Sequence, residues 1–171
     1  MAELLTDPRG LFVARLRQML WVELELFGKV LPELRRQAHS TDLQWAFERH
    51  LLETEEHVVA IREILHELHV SADPEESPAL EGLAREHEHV VRRLSARGEL
   101  LDDLAYAQAG MATEHLELAA DQWLVSLAET LGEETIAIRL REVMEQEELA
   151  HEQVERATAK LLAEKVESRR L

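Results

Sequence analysis

No cysteine occurs among the 171 residues of this chain. Disulfides, thiolate nucleophiles, iron–sulfur clusters and cysteine-bound zinc are therefore excluded. Glycine (6) and proline (4) are scarce, while Ala, Leu, Glu and Arg abound. With so few helix breakers, that mixture favours helix nearly everywhere. No segment alternates with period two for long enough to make a strand. No apolar run reaches membrane-spanning length, so no membrane partner is expected. The opening MAELLTDPRGLF lacks a basic region followed by an apolar one; no signal peptide is expected, and the cytoplasm is the default compartment. Gly-rich phosphate loops and a G-x-S-x-G elbow are also missing.

Positive charge is in short supply. Nineteen Lys and Arg stand against 35 Asp and Glu, a formal net charge of −16. Such a surface repels phosphate backbones, which argues against nucleic acid as a partner. It is a solvated face first, and secondarily a field that draws cations.

Apolar residues make up 46% and charged residues 32% of the chain, a globular balance. The length suits one domain, 1–171, with a substantial core. Thr6 and Asp7 before Pro8 open a first helix, expected over 8–37, with Phe12, Leu16, Leu20, Glu23, Phe27, Val30 and Leu34 on its stripe. Ser40 and Thr41 cap a second, 42–69, whose stripe runs Leu43, Phe47, His50, Leu51, Thr54, His57, Val58, Ile61, Leu65 and Leu68. SADPEESP at 71–78 breaks the pattern, and a short helix follows over 79–96. A long helix is expected over 99–131, with Leu104, Ala107, Met111, Glu114, Leu118 and Val125 inward, ended by Gly132. The last spans 134–166, with Ile136, Leu140, Val143, Glu147, Val154 and Leu161 inward. Two hairpins of long helices joined by one long crossover predict an all-α, ferritin-like four-helix bundle with one additional short helix in the crossover.

The apolar stripes are interrupted by ionisable residues. Glu53/His57 and Glu147/His151 are spaced i, i+4, and Glu23 and Glu114 fall on the stripes of two other helices. Glu147 lies at the centre of its stripe, and Glu53 at an edge roughly 80° off. Each sits near mid-helix, so all six share one level of a bundle. Buried charges are costly unless paired or metal-bound. Four Glu and two His pointing inward are the ligand inventory of a carboxylate-bridged two-metal site, with iron or manganese suited to the O/N mixture. Taken singly, each residue has a bland use: a lone Glu at a stripe edge is a solvated flank, and a lone inward His is hydrogen-bonded core. The usual i, i+3 Glu–His spacing holds here only for Glu148/His151, which faces away, and in reverse for His50/Glu53. Whether Glu53 pairs with His57 or His50 stays open. Glu117 reads equally as a ligand, a partner that orients an imidazole, or a surface residue. Asp121 and His115 flank Glu114 as well. His87 and His89 are expected to face solvent, and Trp21, Trp45 and Trp123 to pack on the short helix or a partner subunit.

FVARLRQMLWVELELFGKVLPEL, AFERHLLETEEH, LEGL, TEHLELA and EQEELAHEQ, in that order, resemble the YciF-type ferritin-like proteins, the DUF892 group. The resemblance runs from about Leu11 to Leu162. It implies a dimeric bundle associated with bacterial stress responses, with Glu23, Glu53, Glu114, Glu117 and Glu147 as acidic positions of a di-metal site and His115 as a further match. His57 stands where relatives often have Gln, His151 where they often have Asp, and Leu116 where they have Tyr.

The resulting expectation is two iron or manganese ions held by Glu23, Glu53, His57, Glu114, Glu117, Glu147 and His151. The chemistry expected of them is oxidation of Fe(II) by O₂ or peroxide, or removal of peroxide. The rival reading is a non-catalytic, dimeric binding or structural module with a vestigial or structural metal. A storage cage is the weaker third, since only SRRL follows the last expected helix.

Overall fold

The computed structural model describes residues 5–94 and 98–168, with side chains to residue 164. Helix α1, Pro8–Glu25, passes through a π-turn at Leu26–Val30 into α2, Leu31–Gln37. Then follow α3 (Thr41–Glu67), α4 (Pro78–Arg93), α5 (Glu99–Leu131) and α6 (Glu134–Ser168). These bounds lie within a few residues of the expected ones. The expected end of the short helix, 95–96, falls outside the described residues.

The ends follow from local chemistry. Asp7 accepts from the Gly10 N–H at 2.8 Å, with Pro8 in the first turn. Ser40 caps α3 by accepting from Leu43 N–H at 3.5 Å. Gly132, at φ 77°, closes α5 in the left-handed conformation that only glycine adopts freely.

The first helix is continuous but contains a defect. Pro32 has no N–H to give the Gly28 carbonyl, and its ring crowds that oxygen. The backbone widens one turn instead, and Leu31 N–H donates five residues back to Leu26 O. The added residue shifts the phase of the helix around the turn, although Leu34 stays inward as expected. Phe27, expected inward, is 38% exposed, while Leu26, Leu31 and Leu34 are buried.

Helix α5 buries Ala107, Glu114 and Val125 as expected, but its inner face is turned partly away from the expected one. Gly110, Glu114, Glu117, Asp121, Leu124 and Ala128 are buried along one line, whereas Met111 and Leu118 are only half-buried. Because α4 covers a second side of α5, apolar residues are spread around the helix and do not mark its inner face. Gly110 is needed there: a Cβ on it would lie 2.9 Å from Phe47 Cε1 on α3.

Helices α3 and α6 run antiparallel, tied by Asp42–Lys160 at one end and Glu67–Arg139 at the other. The crossover lies along α1, where Arg17 holds the Ser71 carbonyl (3.0 Å) and hydroxyl (2.8 Å). Buried Asp103 of α5 accepts from the His39 and Ser40 N–H groups at 2.7 and 2.9 Å, fixing the turn into α3. The result is a ferritin-like four-helix bundle with α4 in its crossover. No helix among the described residues is long and apolar enough to cross a membrane.

Two apolar clusters fill the bundle. One gathers Phe12, Leu16, Leu20, Ile61, Leu65, Leu124, Ile136 and Leu140. The other gathers Val22, Leu26, Leu34, Leu43, Phe47, Tyr106 and Val154. Each such side chain contributes about 1.5–3 kcal/mol by leaving water. Trp21 packs on the second cluster beside α4, whereas Trp45 and Trp123 are exposed. His87 is half-buried with its ring 5.7 Å from Tyr106, not in open solvent; His89 is exposed.

Candidate metal centre

Between the two apolar clusters the bundle carries a layer of ionisable side chains. Glu23 (α1), His50 and His57 (α3), Glu114 and Glu117 (α5) and Glu147 (α6) are all 2% exposed or less. His50 and His57 lie seven residues apart, so two helical turns put them on one face. Thr54 between them directs its hydroxyl to the His50 carbonyl at 2.8 Å and presents no competing donor to the layer.

The side chains form two groups. In one, a single donor atom from each of His50, Glu114, Glu117 and Glu147 lies within 4.8 Å of every other; in the second, the same holds for Glu23, His57 and Glu147. Glu147 belongs to both. His50 Nε2 stands 3.4 Å from Glu114 Oε1, 3.7 Å from Glu147 Oε2 and 4.0 Å from Glu117 Oε2. His57 Nδ1 stands 2.8 Å from Glu147 Oε1 and 3.6 Å from Glu23 Oε2. So one oxygen of Glu147 faces each imidazole.

The other His57 nitrogen, Nε2, lies 2.7 Å from Gln146 Oε1. An amide oxygen only accepts, so Nε2 carries the donated proton and Nδ1 faces the layer. That is the orienting contact a metal-binding imidazole ordinarily has.

The family model described as "Domain of unknown function (DUF892)" matches residues 7–167. The chain belongs to the DUF892 family. The resemblance read from its motifs is thereby borne out. This DUF892 chain is 31% identical to Protein YciF of Escherichia coli (strain K12) over 120 residues, covering 70% of this chain and 71% of that one. The crystal structure of the E. coli stress protein YciF matches with a TM-score of 0.85 at 26% identity, covering 93% of this chain and 99% of that one. The structure of YcfI from Rhodopseudomonas palustris matches with a TM-score of 0.84 at 24% identity over 91% of this chain and 97% of its own, and shows the same fold.

The DUF892 layer fits metal ions by a specific observation. Both oxygens of Glu23 and of Glu117, both nitrogens of His50, Glu114 Oε2 and Asp121 Oδ2 are buried without a hydrogen-bond partner. Buried lone pairs are almost always satisfied in folded proteins. Here these orphans gather in one layer, and all but one nitrogen of His50, which carries the imidazole proton, are acceptors. Four carboxylates and two imidazoles match two divalent ions in charge, the carboxylates cancelling the cations while neutral imidazoles add terminal donors. Oxygen-rich, nitrogen-bearing sets of this kind suit iron and manganese.

Without ions, protons must supply the compensation. Burial pushes Glu23 up to about 7, against the opposing pull of His57. Burial, reinforced by the charge of Glu147, holds Glu114 and Glu117 well above the usual carboxylate range, and burial does the same to Asp121. Burial lowers His50, against the opposing pull of Glu147. His57 behaves oppositely: burial opposes its charge, but hydrogen bonding to Glu147 and Glu23 wins and pushes it up to about 11. Glu147 is held below its usual value, because His50 and His57 outweigh its burial.

Of the seven residues expected from sequence, the structure gathers Glu23, His57, Glu114, Glu117 and Glu147 into the two groups. Glu53 and His151 lie outside both. Glu53 is buried at the edge of the layer: its Oε1 accepts from Arg49 Nε at 2.9 Å, while its Oε2 is buried without a hydrogen-bond partner. His151 is half-buried, its ring 4.3 Å from that of His115. The residue added by the structure is His50. Its signal was its place on the α3 stripe seven residues before His57. Buried Asp121, one turn beyond Glu117, borders the layer.

Proposed function

We propose that this chain is one ferritin-like domain holding two iron or manganese ions in the buried layer. His50, Glu114 and Glu117 would hold one ion and Glu23 and His57 the other, with Glu147 available to both. Glu53 is a reserve ligand that reaches inward when it leaves Arg49. The observation that carries this reading is the sharing of Glu147 by two buried donor groups whose lone pairs lack partners. Bound there, such ions supply redox chemistry toward O₂ or peroxide. The chain's own residues hold the ions in a water-poor layer, orient His57 through Gln146, and set charge balance through carboxylates that give up protons as ions enter.

The biochemical role that fits is oxidation of Fe(II), or removal of peroxide, in a bacterial stress response; the similarity to the E. coli stress protein YciF supports the setting. A homodimer in the cytoplasm fits the exposed apolar residues Trp45, Leu52 and Val59, spaced by seven along α3 and therefore on one outer face. Oxidant consumption tests the activity. Protein loaded anaerobically with Fe(II) should consume O₂ or H₂O₂ in proportion to bound iron, and Glu147→Gln protein should not. Equal consumption by both would refute the assignment and leave a structural or partner-binding module.

A further inference from the structure

We propose that His115 and His151 form a surface port that takes up a divalent transition-metal ion and passes it to the buried layer. The inference rests on the di-metal reading and concerns how ions reach that site.

The two imidazoles meet across the seam between α5 and α6, with ring centroids 4.3 Å apart and planes at 87°. His115 Nδ1 lies 2.8 Å from the Met111 carbonyl, which only accepts, so Nδ1 carries the proton and Nε2 keeps its lone pair. The residue is exposed, which leaves that lone pair open to solvent. His151 is half-buried, and its Nδ1 is buried without a hydrogen-bond partner. Ring-on-edge packing alone leaves this nitrogen unsatisfied, which is uncommon in a folded interior. An ion shared with His115 would satisfy it, and imidazole nitrogen is a good donor to Fe(II), Co(II) and Zn(II).

Position makes the pair a route as well as a site. His115 follows Glu114 in the chain, and His151 lies one turn beyond Glu147. Both neighbours belong to the His50 group of the buried layer. An ion at the pair therefore stands beside the two helices whose carboxylates receive it. Exposed Glu148, three residues before His151, adds a carboxylate on a neighbouring line of α6. A net charge of −16 raises the local concentration of cations over the whole surface, and the histidines supply the selectivity for transition metals that carboxylates lack.

The test is stopped-flow uptake of Co(II) by the metal-free full chain, with tightly held metal per chain measured after desalting at the end point. His115→Gln/His151→Gln protein, shown folded by circular dichroism, should reach the same two ions per chain at least roughly tenfold more slowly. Before desalting, Glu147→Gln protein should hold one weakly bound Co(II), absent when the two histidine changes are added. An unchanged uptake rate overturns the port. A lower end point in the histidine variant also overturns it, because the pair would then be ligands of the centre itself. If wild-type protein takes up a single Co(II) that the histidine variant loses, the di-metal reading fails but the surface site stands; no uptake at all refutes both.

Discussion

The apolar cluster around Phe12, Leu16 and Ile61 and the ionisable layer around Glu147 are equally buried, yet they do opposite things to the fold. Leu16, Leu20 and Ile64 are as inaccessible as Glu23, Glu117 and Glu147, all at 0% exposure. Apolar burial stabilises the bundle. Burying carboxylates without partners costs stability, and the cost persists unless protons or cations compensate. Three helices place such carboxylates at one level and the fourth adds two imidazoles, and gathering the carboxylates there has no structural benefit of its own. The ends of the bundle hold it together so that its middle can be unfavourable in the absence of ligand.

The contrast can be broken or sharpened by substitution and by pH. The largest effect is expected at the apolar end: Phe12→Ala should lose about 3–5 kcal/mol in urea unfolding, whether or not metal is present. A loss below about 1 kcal/mol would mean that the cluster is not the source of stability.

The second effect belongs to the layer. Glu23 has a folded value of about 7 against an ordinary 4.5. A raised carboxylate contributes stability that is complete below 4.5 and lost as pH rises through about 7, roughly 3 kcal/mol from this group. His57 adds in the same direction, its contribution present below 6.5 and lost as pH rises toward 11. His50, lowered by burial, opposes them modestly below its ordinary value. Metal-free protein should therefore melt at lower temperature at pH 8 than at pH 5, and metal-loaded protein should show the opposite trend, since entering ions displace those protons. Parallel pH dependences in the two forms would contradict the proton-for-metal exchange.

The third test is Glu117→Leu, which should stabilise the metal-free bundle by about 1–4 kcal/mol while lowering metal content. Glu117 suits this purpose because neither oxygen has a partner; removing Glu147 instead would strand charged His57. A destabilised Glu117→Leu protein would show that the layer is held by interactions of its own. The smallest effect is expected for Gly110→Ala, about 1–3 kcal/mol, from the clash with Phe47.

Much of this was legible in the sequence, for physical reasons that also explain the remainder. Helices without internal Gly or Pro announced themselves through apolar spacing, and Glu147 stood out because the α6 stripe passes through it. Two departures came from features that periodicity averages away. Pro32 inserts a π-turn that shifts the phase of the first helix, so Phe27 moves out and Leu31 moves in. On α5 the inner face is marked by polar residues, because Glu114, Glu117 and Asp121 line it while α4 draws apolar residues to another side. Hydrophobic spacing cannot find a face that is buried for its charge. The choice between His50 and Glu53 needed rotamers: Arg49 holds one oxygen of Glu53, while the His50 ring stands among Glu114, Glu117 and Glu147.

The most direct test of the central claim is metal content per chain after anaerobic loading of purified, metal-free protein with Fe(II) or Mn(II), with Glu147→Gln in parallel. The account predicts about two tightly held ions per chain in the native protein after desalting, one for each donor group, and loss of both in the variant because the shared carboxylate serves each. Native protein that stays metal-free, or a variant that still holds two ions, would contradict it.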